Sequence, residues 1–362
     1  RGAEIWANSE IDQGFGLSNT LGVAGFPSAE AYKVGSTRPY FKLPRLFLRQ
    51  TIDLGGDASP AAAAANQLAG TQTANRLVLT LGKFSVVDVF DTNSYAHDPR
   101  ADVLNWSLVD AGAFDYAANA WGFTFGGAAE LYEDAWTLRA GLVDLSKVPN
   151  QPALEVGFHQ YQVVGEVEHR HTIGGHPGAI RLGGFFTRGN LALLRVMIAA
   201  YDQTGVMLTD NAPFRRMNDH GGGYLNVEQE VTKFIGVYAR ISAADGVTEA
   251  DDFTDIDRSI ALGTTLSGAG WGRASDKAGV AGVVNGISRA RQIFLNDGGL
   301  GTLVGDGQLP HPGDEKIAET WYQFGVITGV TATLDYQFIA NPAYNRDRGP
   351  VHVFGLRLHA GF

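Results

Sequence analysis

The sequence contains no cysteine, which excludes disulfide scaffolds, thiolate metal sites and cysteine nucleophiles. It also lacks any apolar run near the roughly eighteen residues that a membrane-spanning helix requires. The best attempt, residues 191–201, is short and carries Arg195, so helical membrane insertion is excluded. Basic charge is scarce: 28 Lys and Arg stand against 38 Asp and Glu, a net charge of −10. The basic surface that a nucleic-acid partner would need is therefore missing. Residues 1–7 hold no cationic stretch followed by an apolar core, so a secretory leader is expected to have been removed or never to have existed. Proline is sparse, at 13 against 47 glycines spread along the chain, a balance that suits curved sheet better than helix. The 362 residues allow two soluble domains or one large β architecture. Mean hydropathy of −0.07 does not separate a soluble protein from strands that alternate lipid-facing and water-facing residues.

What the chain does have is period-2 alternation, clearest at its end. In VHVFGLRLHAGF (residues 351–362) one register reads His352, Phe354, Leu356, Leu358, Ala360 and Phe362, and the other Val351, Val353, Gly355, Arg357, His359 and Gly361. Such a pattern is what a strand with one apolar face needs. Residues 330–340 and 315–326 repeat it. Strands of about ten residues with charges on one face and apolar or aromatic groups on the other are the pattern of a transmembrane β-barrel. Alternation marks fifteen candidate strands: 3–10, 40–53, 76–83, 121–131, 135–145, 154–169, 179–188, 191–201, 223–230, 233–242, 257–266, 277–285, 315–326, 330–340 and 351–361. Short links such as 132–134, 231–232 and 327–329 alternate with long ones at 11–39, 84–120, 202–222 and 288–314, as expected when two rims face different compartments. An antiparallel barrel with both termini on one side needs an even count, so one strand is expected to be missing from this reading, within 84–120 or 55–75. The expected fold is all-β: one antiparallel barrel over residues 1–362, of about sixteen strands give or take roughly two. Closure requires residues 351–362 to pair with 3–10 as well as with 330–340.

If the apolar faces meet lipid, the opposite faces describe a polar interior. Arg45, Phe47, Arg49 and Asp53 share a face of one strand, against Leu46, Leu48 and Ile52. Arg139 opposes Trp136, Leu138 and Leu142. Arg181, Arg240 and Arg357 come from three further strands, and Glu4, Glu155, Glu228, Glu230, Glu319 and Asp335 from others. A guanidinium fork donates to neighbouring sugar oxygens and carboxylates accept from hydroxyls, so this lining suits a neutral polyhydroxylated solute. The same groups also serve simply by pairing with one another. Glu228 and Glu230 lie two apart on one face, but a glycosidase needs carboxylates opposed across the scissile bond, and catalysis is not expected. His169, His171 and His176 in HRHTIGGH read as a polar turn rather than a metal site. Asp251, Asp252, Asp255 and Asp257 lack the spacing of an EF-hand loop; a solvated loop is expected, with weak calcium binding left open. No cofactor is implied.

Several stretches resemble the carbohydrate-selective porins of the OprB type from Gram-negative outer membranes: EIDQGFGLSNTLGVAGF from Glu10, GKFSVVDVFDTNSYAHDPR from Gly82, NWSLVDAGAFDYAANAWG from Asn105, LNVEQ from Leu225, FTDID from Phe253, GDGQLPHPGDE from Gly305, and DYQFIANPAYNRDRGPVHVFGLRLHAGF from Asp335. The last is the most specific. The resemblance runs almost end to end and implies facilitated diffusion of glucose-like sugars, with outer-membrane lipids and the barrel assembly machinery as partners and a homotrimer among the assemblies open to it. It implies that Phe362 is an assembly signal, that long extracellular loops fold partly into the lumen to narrow the pore, that Asp88, Asp91 and Asn93 lie near the constriction, and that Arg346, Asp347 and Arg348 lie at the mouth. It also leads to the expectation of a periplasmic extension ahead of the barrel, absent or trimmed here. The alternatives are a general or organic-acid and ion-selective porin on the same barrel, and a soluble β-rich carbohydrate-binding protein or hydrolase.

Overall fold

The computed structural model describes residues 2–17 and 21–361. Its sheet contains fourteen antiparallel strands, each bonded to the next in sequence: β1 Ala3–Gly14, β2 Ser36–Ala61, β3 Gly70–Phe84, β4 Thr124–Glu133, β5 Trp136–Asp144, β6 Tyr161–Ile173, β7 His176–Ala192, β8 Arg215–Thr232, β9 Ile235–Ala244, β10 Arg258–Ser267, β11 Lys277–Gly286, β12 Glu315–Ile327, β13 Val330–Ala340 and β14 Val351–Ala360. Tight turns close one rim. One is Gly174–Gly175, whose φ of 61° and 85° favour glycine. The long connections 15–35, 85–123, 145–160, 193–214, 245–257, 287–314 and 341–350 gather at the other rim.

Fourteen of the fifteen alternating stretches are strands. The exception is 191–201: its first residues close β7, and Leu194–Thr204 form a helix, α2. There Leu194 and Met197 are buried and Ile198 and Tyr201 continue the i, i+3, i+4, i+7 stripe of a helix, while Gly205 ends it with φ 68°. The parity argument was sound, but the count was one too high rather than one too low. Residues 55–75 hold no extra strand because they prolong β2 and β3, and 85–123 holds a 3-10 turn, Val86–Asp88, and the short helix α1, Trp106–Val109. Glu155 lies in a turn before β6, where it accepts from His159 N at 2.9 Å. Among the described residues β1 pairs only with β2 and β14 only with β13, so the expected ladder between the first and last strands is not seen.

The two faces of the sheet differ in kind. On the outer face Leu182, Leu262 and Leu356 are 64%, 64% and 69% exposed, while their immediate neighbours Arg181 and Ala261 on the inner face are buried. Among the described residues no helix is long and apolar enough to cross a membrane, which leaves strands untouched as membrane spans. Residues of the 85–123 segment touch β6, β8, β9, β12 and β14, which requires the sheet to curl around it. Phe114 in that segment sits 5.6, 5.2 and 5.1 Å from the rings of Tyr116, Phe185 and Tyr224, and Trp106 stacks on Phe26 at 5.3 Å. The core is thus made by loops packed inside a curled wall.

The β2–β3 hairpin departs from this plan. Asp53 and Arg76 mark the level at which β4 ends, since Arg76 faces Tyr132. Beyond them the ladder is interrupted between Asp53, Gly55 and Ala58, with Gly55 and Gly56 at φ 103° and 82°. The hairpin then bends back inward, as the hydrogen bond from Arg49 Nη1 to the Asn66 carbonyl at 2.6 Å shows.

Candidate functional site: a polar cavity along the first three strands

Most of the charged groups expected on the inner face are buried and hold loops to the wall. A backbone N–H that leaves water must find an acceptor, and the wall supplies carboxylates. Glu319 accepts from Leu104 N at 2.6 Å and Asn105 N at 2.9 Å. Glu315 accepts from Ala24 N, Gly25 N and Ala343 N at 3.0, 2.7 and 2.9 Å. Glu228 accepts from Ser94 N at 2.6 Å, and Glu166 from Asp91 N at 2.8 Å. Arg240, 2% exposed, donates to Asp91 Oδ1 at 3.1 Å and to the carbonyls of Ala96 and Leu108 at 2.8 and 3.0 Å. Asn93 joins this group through Asn226, at 2.8 Å.

Arg139 and Arg181 belong to one network. Arg139 meets Glu130, Glu166 and Glu168 at 3.1, 2.6 and 3.0 Å, and Arg181 meets Glu168 and Glu228 at 2.8 and 3.3 Å. Glu230 pairs with His176 at 2.8 Å, away from Glu228's partners. Asp335 accepts from Gln337 at 3.1 Å. Arg357 donates to the Pro99 carbonyl and, at 3.1 Å, to Thr333. In the last loop Arg348 pairs with Asp306 at 3.1 Å and Asp347 with His311 at 2.8 Å, and Arg346 N donates to the His311 carbonyl at 3.0 Å. Phe362 lies outside the described residues.

The acidic run 251–257, expected to be solvated, is buried. Asp115 accepts from the backbone of Asp251 and Phe253 at 2.6 and 2.9 Å, and Arg291 bridges Asp255 and Asp257 at 3.2 and 3.0 Å. Nearby Lys33 lies 3.9 Å above the Phe253 ring, and burial pulls its ammonium down to about 8. Ion pairing and backbone donors replace water there, which a local composition of four aspartates did not reveal.

Open space remains on the opposite side. A cavity of about 630 Å³ runs along β1, β2 and β3, with Trp6, Phe47, Tyr116, Trp121 and Phe123 among its walls. A smaller compartment of about 290 Å³ continues it toward the long-loop rim and shares Glu10, Glu30 and Tyr32 with it. Arg45 and Asp88 meet in the larger cavity as a two-bond fork, at 2.7 and 2.6 Å, with the guanidinium 4.9 Å from the Phe123 ring. Arg49 lies four residues further along the same face, past Phe47, whose ring it covers at 5.0 Å. Toward the outer end Lys42 pairs with Glu10 and Asp12, each at 3.0 Å, and lies 3.2 Å above Tyr32. Of the expected site residues, then, Arg45, Arg49 and Asp88 share the open cavity. The rest line the opposite wall or the loops it holds. The cavity aromatics Trp6, Tyr32, Trp121 and Phe123 are not among the expected site residues: Tyr32 falls in a stretch that reads as a connection, and in the strands 3–10 and 121–131 the expectation follows charged groups rather than rings; the interleaved aromatics of NAWGFTF are the available signal.

The structure is similar to the high-pH structure of Pseudomonas putida OprB, with a TM-score of 0.72 at 16% identity, covering 99% of this chain and 83% of that one. The low-pH structure of the same protein gives a TM-score of 0.47 at 15% identity, covering 90% and 69%. The outer membrane protein opdK from Pseudomonas aeruginosa gives 0.41 at 13% identity, covering 98% and 86%. No curated protein matches. The family model of the carbohydrate-selective porins matches residues 1–362, and the chain therefore belongs to the OprB family of carbohydrate-selective porins of Gram-negative outer membranes.

Proposed function

We propose that the cavity along β1–β3 is the path by which this porin passes neutral monosaccharides such as glucose, and that Arg45, held by Asp88 beside Phe47 and Phe123, is its main solute contact. The observation that carries this reading is the charge-fixed fork set against aromatic faces in the open cavity. A sugar ring has a polar rim and apolar C–H faces. The guanidinium and carboxylate exchange hydrogen bonds with hydroxyls, while the aromatic faces take the ring. Each contact replaces one with water, so binding stays weak enough for release, as conduction requires. Arg139, Arg181, Glu228, Glu230, Arg240, Glu319, Asp335 and Arg357 then belong to the polar lining chiefly by fixing loops that narrow the passage. In this reading residues 1–362 act as one barrel, its outer apolar band meets outer-membrane lipid, and the protein transports rather than transforms its solute.

Ion current through the protein in a planar bilayer tests this. Glucose is expected to reduce the current in a saturable way, and Arg45→Ala to weaken that block at least several-fold. If organic anions block and glucose does not, the pore is anion-selective and the sugar reading fails.

A further inference from the structure

We propose that the folded-back end of the β2–β3 hairpin is a lid over the short-turn mouth of the cavity, and that Arg49 latches it through the backbone carbonyl of Asn66. The inference rests on the reading of the cavity as the solute path. Strands continued straight beyond Asp53 would carry Asn66 well clear of the wall. Instead Arg49 Nη1 donates to the Asn66 carbonyl at 2.6 Å, and Ala65 and Asn66 line the same cavity as Arg45 and Trp6. The hinge is the ladder interruption at Gly55, where two successive residues of positive φ turn the chain at little steric cost because neither has a Cβ. Beyond it, pairs from Ala58–Thr73 to Ala61–Gly70 keep the flap rigid over about 10 Å at roughly 3.3 Å per residue. Asp53 lies about 13 Å from Arg49 along β2, and the turn residues beyond Ala61 cover the remainder, so that Asn66 arrives at the guanidinium. Thr51, on the inner face between those two, is only 6% exposed, and Ala61 8%, as expected beneath and within a covering flap.

The latch is built to be released. Among the described residues Arg49 donates one hydrogen bond, to a neutral carbonyl, and its Nε is buried without a hydrogen-bond partner. A polyhydroxylated solute reaching this point can offer acceptors to both nitrogens and so displace the Asn66 carbonyl. In this family the short turns face the periplasm, so the lid guards the exit rather than the entrance.

The test exploits the absence of native cysteine. Asp53→Cys with Thr73→Cys places one disulfide across the hinge, at side chains already in contact. Single-channel conductance is read with this pair oxidised and reduced, each with and without Arg49→Ala, and for a chain in which residues 57–73 are replaced by a tight turn. Arg49→Ala is expected to raise conductance at least twofold when reduced, and oxidation is expected to reverse the rise. Removal of the flap is expected to raise it at least as much. A mere charge effect of Arg49→Ala would survive oxidation. Equal conductance for the oxidised, reduced and flap-deleted forms overturns the lid while leaving the path intact. If the channels conduct but glucose blocks none of the forms, including the flap-deleted one, the sugar-path reading itself fails and the lid falls with it.

Discussion

Arg240 on β9 and Asp91 in the β3–β4 loop are 149 residues apart in sequence and meet at 3.1 Å with both side chains buried. The pair ties the centre of the inward loop to the wall. Removing one member of a buried ion pair leaves the other as an uncompensated charge, at a cost of about 3–5 kcal/mol. Asp91→Ala is therefore expected to lower the denaturant midpoint of the folded protein strongly, and Asp91→Ala with Arg240→Met to lose less than the two single losses combined. Heat-modifiable mobility on gels, followed against urea, measures both. Additive losses would show that the pair does not act as a unit.

Glu319 anchors the same loop from β12. Without its carboxylate the N–H groups of Leu104 and Asn105 lose their acceptor, each such loss costing about 1–3 kcal/mol. Glu319→Ala is expected to free this part of the loop, giving a larger and noisier single-channel current and weaker glucose block. Glu319→Gln, which keeps one acceptor oxygen, should fall between. An unchanged current in Glu319→Ala would mean that the loop is held without it.

The wall was legible in the sequence because period 2 is a local property. Leu356 and Arg357 can be assigned to opposite faces from the twelve residues around them, and the structure puts Leu356 outward and Arg357 against the Pro99 carbonyl. Residues 191–201 failed the same test because a short apolar run satisfies both periods for a few residues. Loop placement was not legible at all. Nothing local to Asp251 and Asp252 says that Asp115, more than a hundred residues earlier, will take up their backbone donors. Arg45 was found from its strand and Asp88 from its motif, but their fork depends on how residues 85–123 enter the lumen.

The outward placement of Leu356 carries its own prediction. An arginine on the lipid face near mid-membrane costs about 2–4 kcal/mol in a barrel, so Leu356→Arg is expected to cut the yield of folded protein in the membrane. Arg357→Leu removes an inner-face donor and should be milder for assembly while altering conductance through the freed 99–102 segment. A greater assembly defect in Arg357→Leu than in Leu356→Arg would contradict the assignment of faces.

The buried site around Asp252 should make the 245–257 loop sensitive to pH. Burial pushes the Asp252 carboxyl up to about 7 even though Lys33 opposes the rise. Asp251 is raised as well, by burial and by the neighbouring Asp252 and Asp115. An unfolded carboxyl titrates near 4, so between about 4 and about 7 the folded loop keeps a proton that the unfolded chain gives up. Linkage then lowers stability as pH rises through this window. Lys33 acts later and in the opposite sense: its folded value of about 8 lies below the unfolded value of about 10.4, so stability recovers as pH climbs from about 8. Loop protection should therefore pass through a minimum between about 7 and about 8. Hydrogen exchange across residues 245–257, corrected for intrinsic rates, reads this directly. Asp252→Asn should flatten the falling limb and Lys33→Met the rising one. Protection that increases steadily from pH 5 to 8 would show that Asp252 is charged throughout and that Lys33 fully compensates its burial.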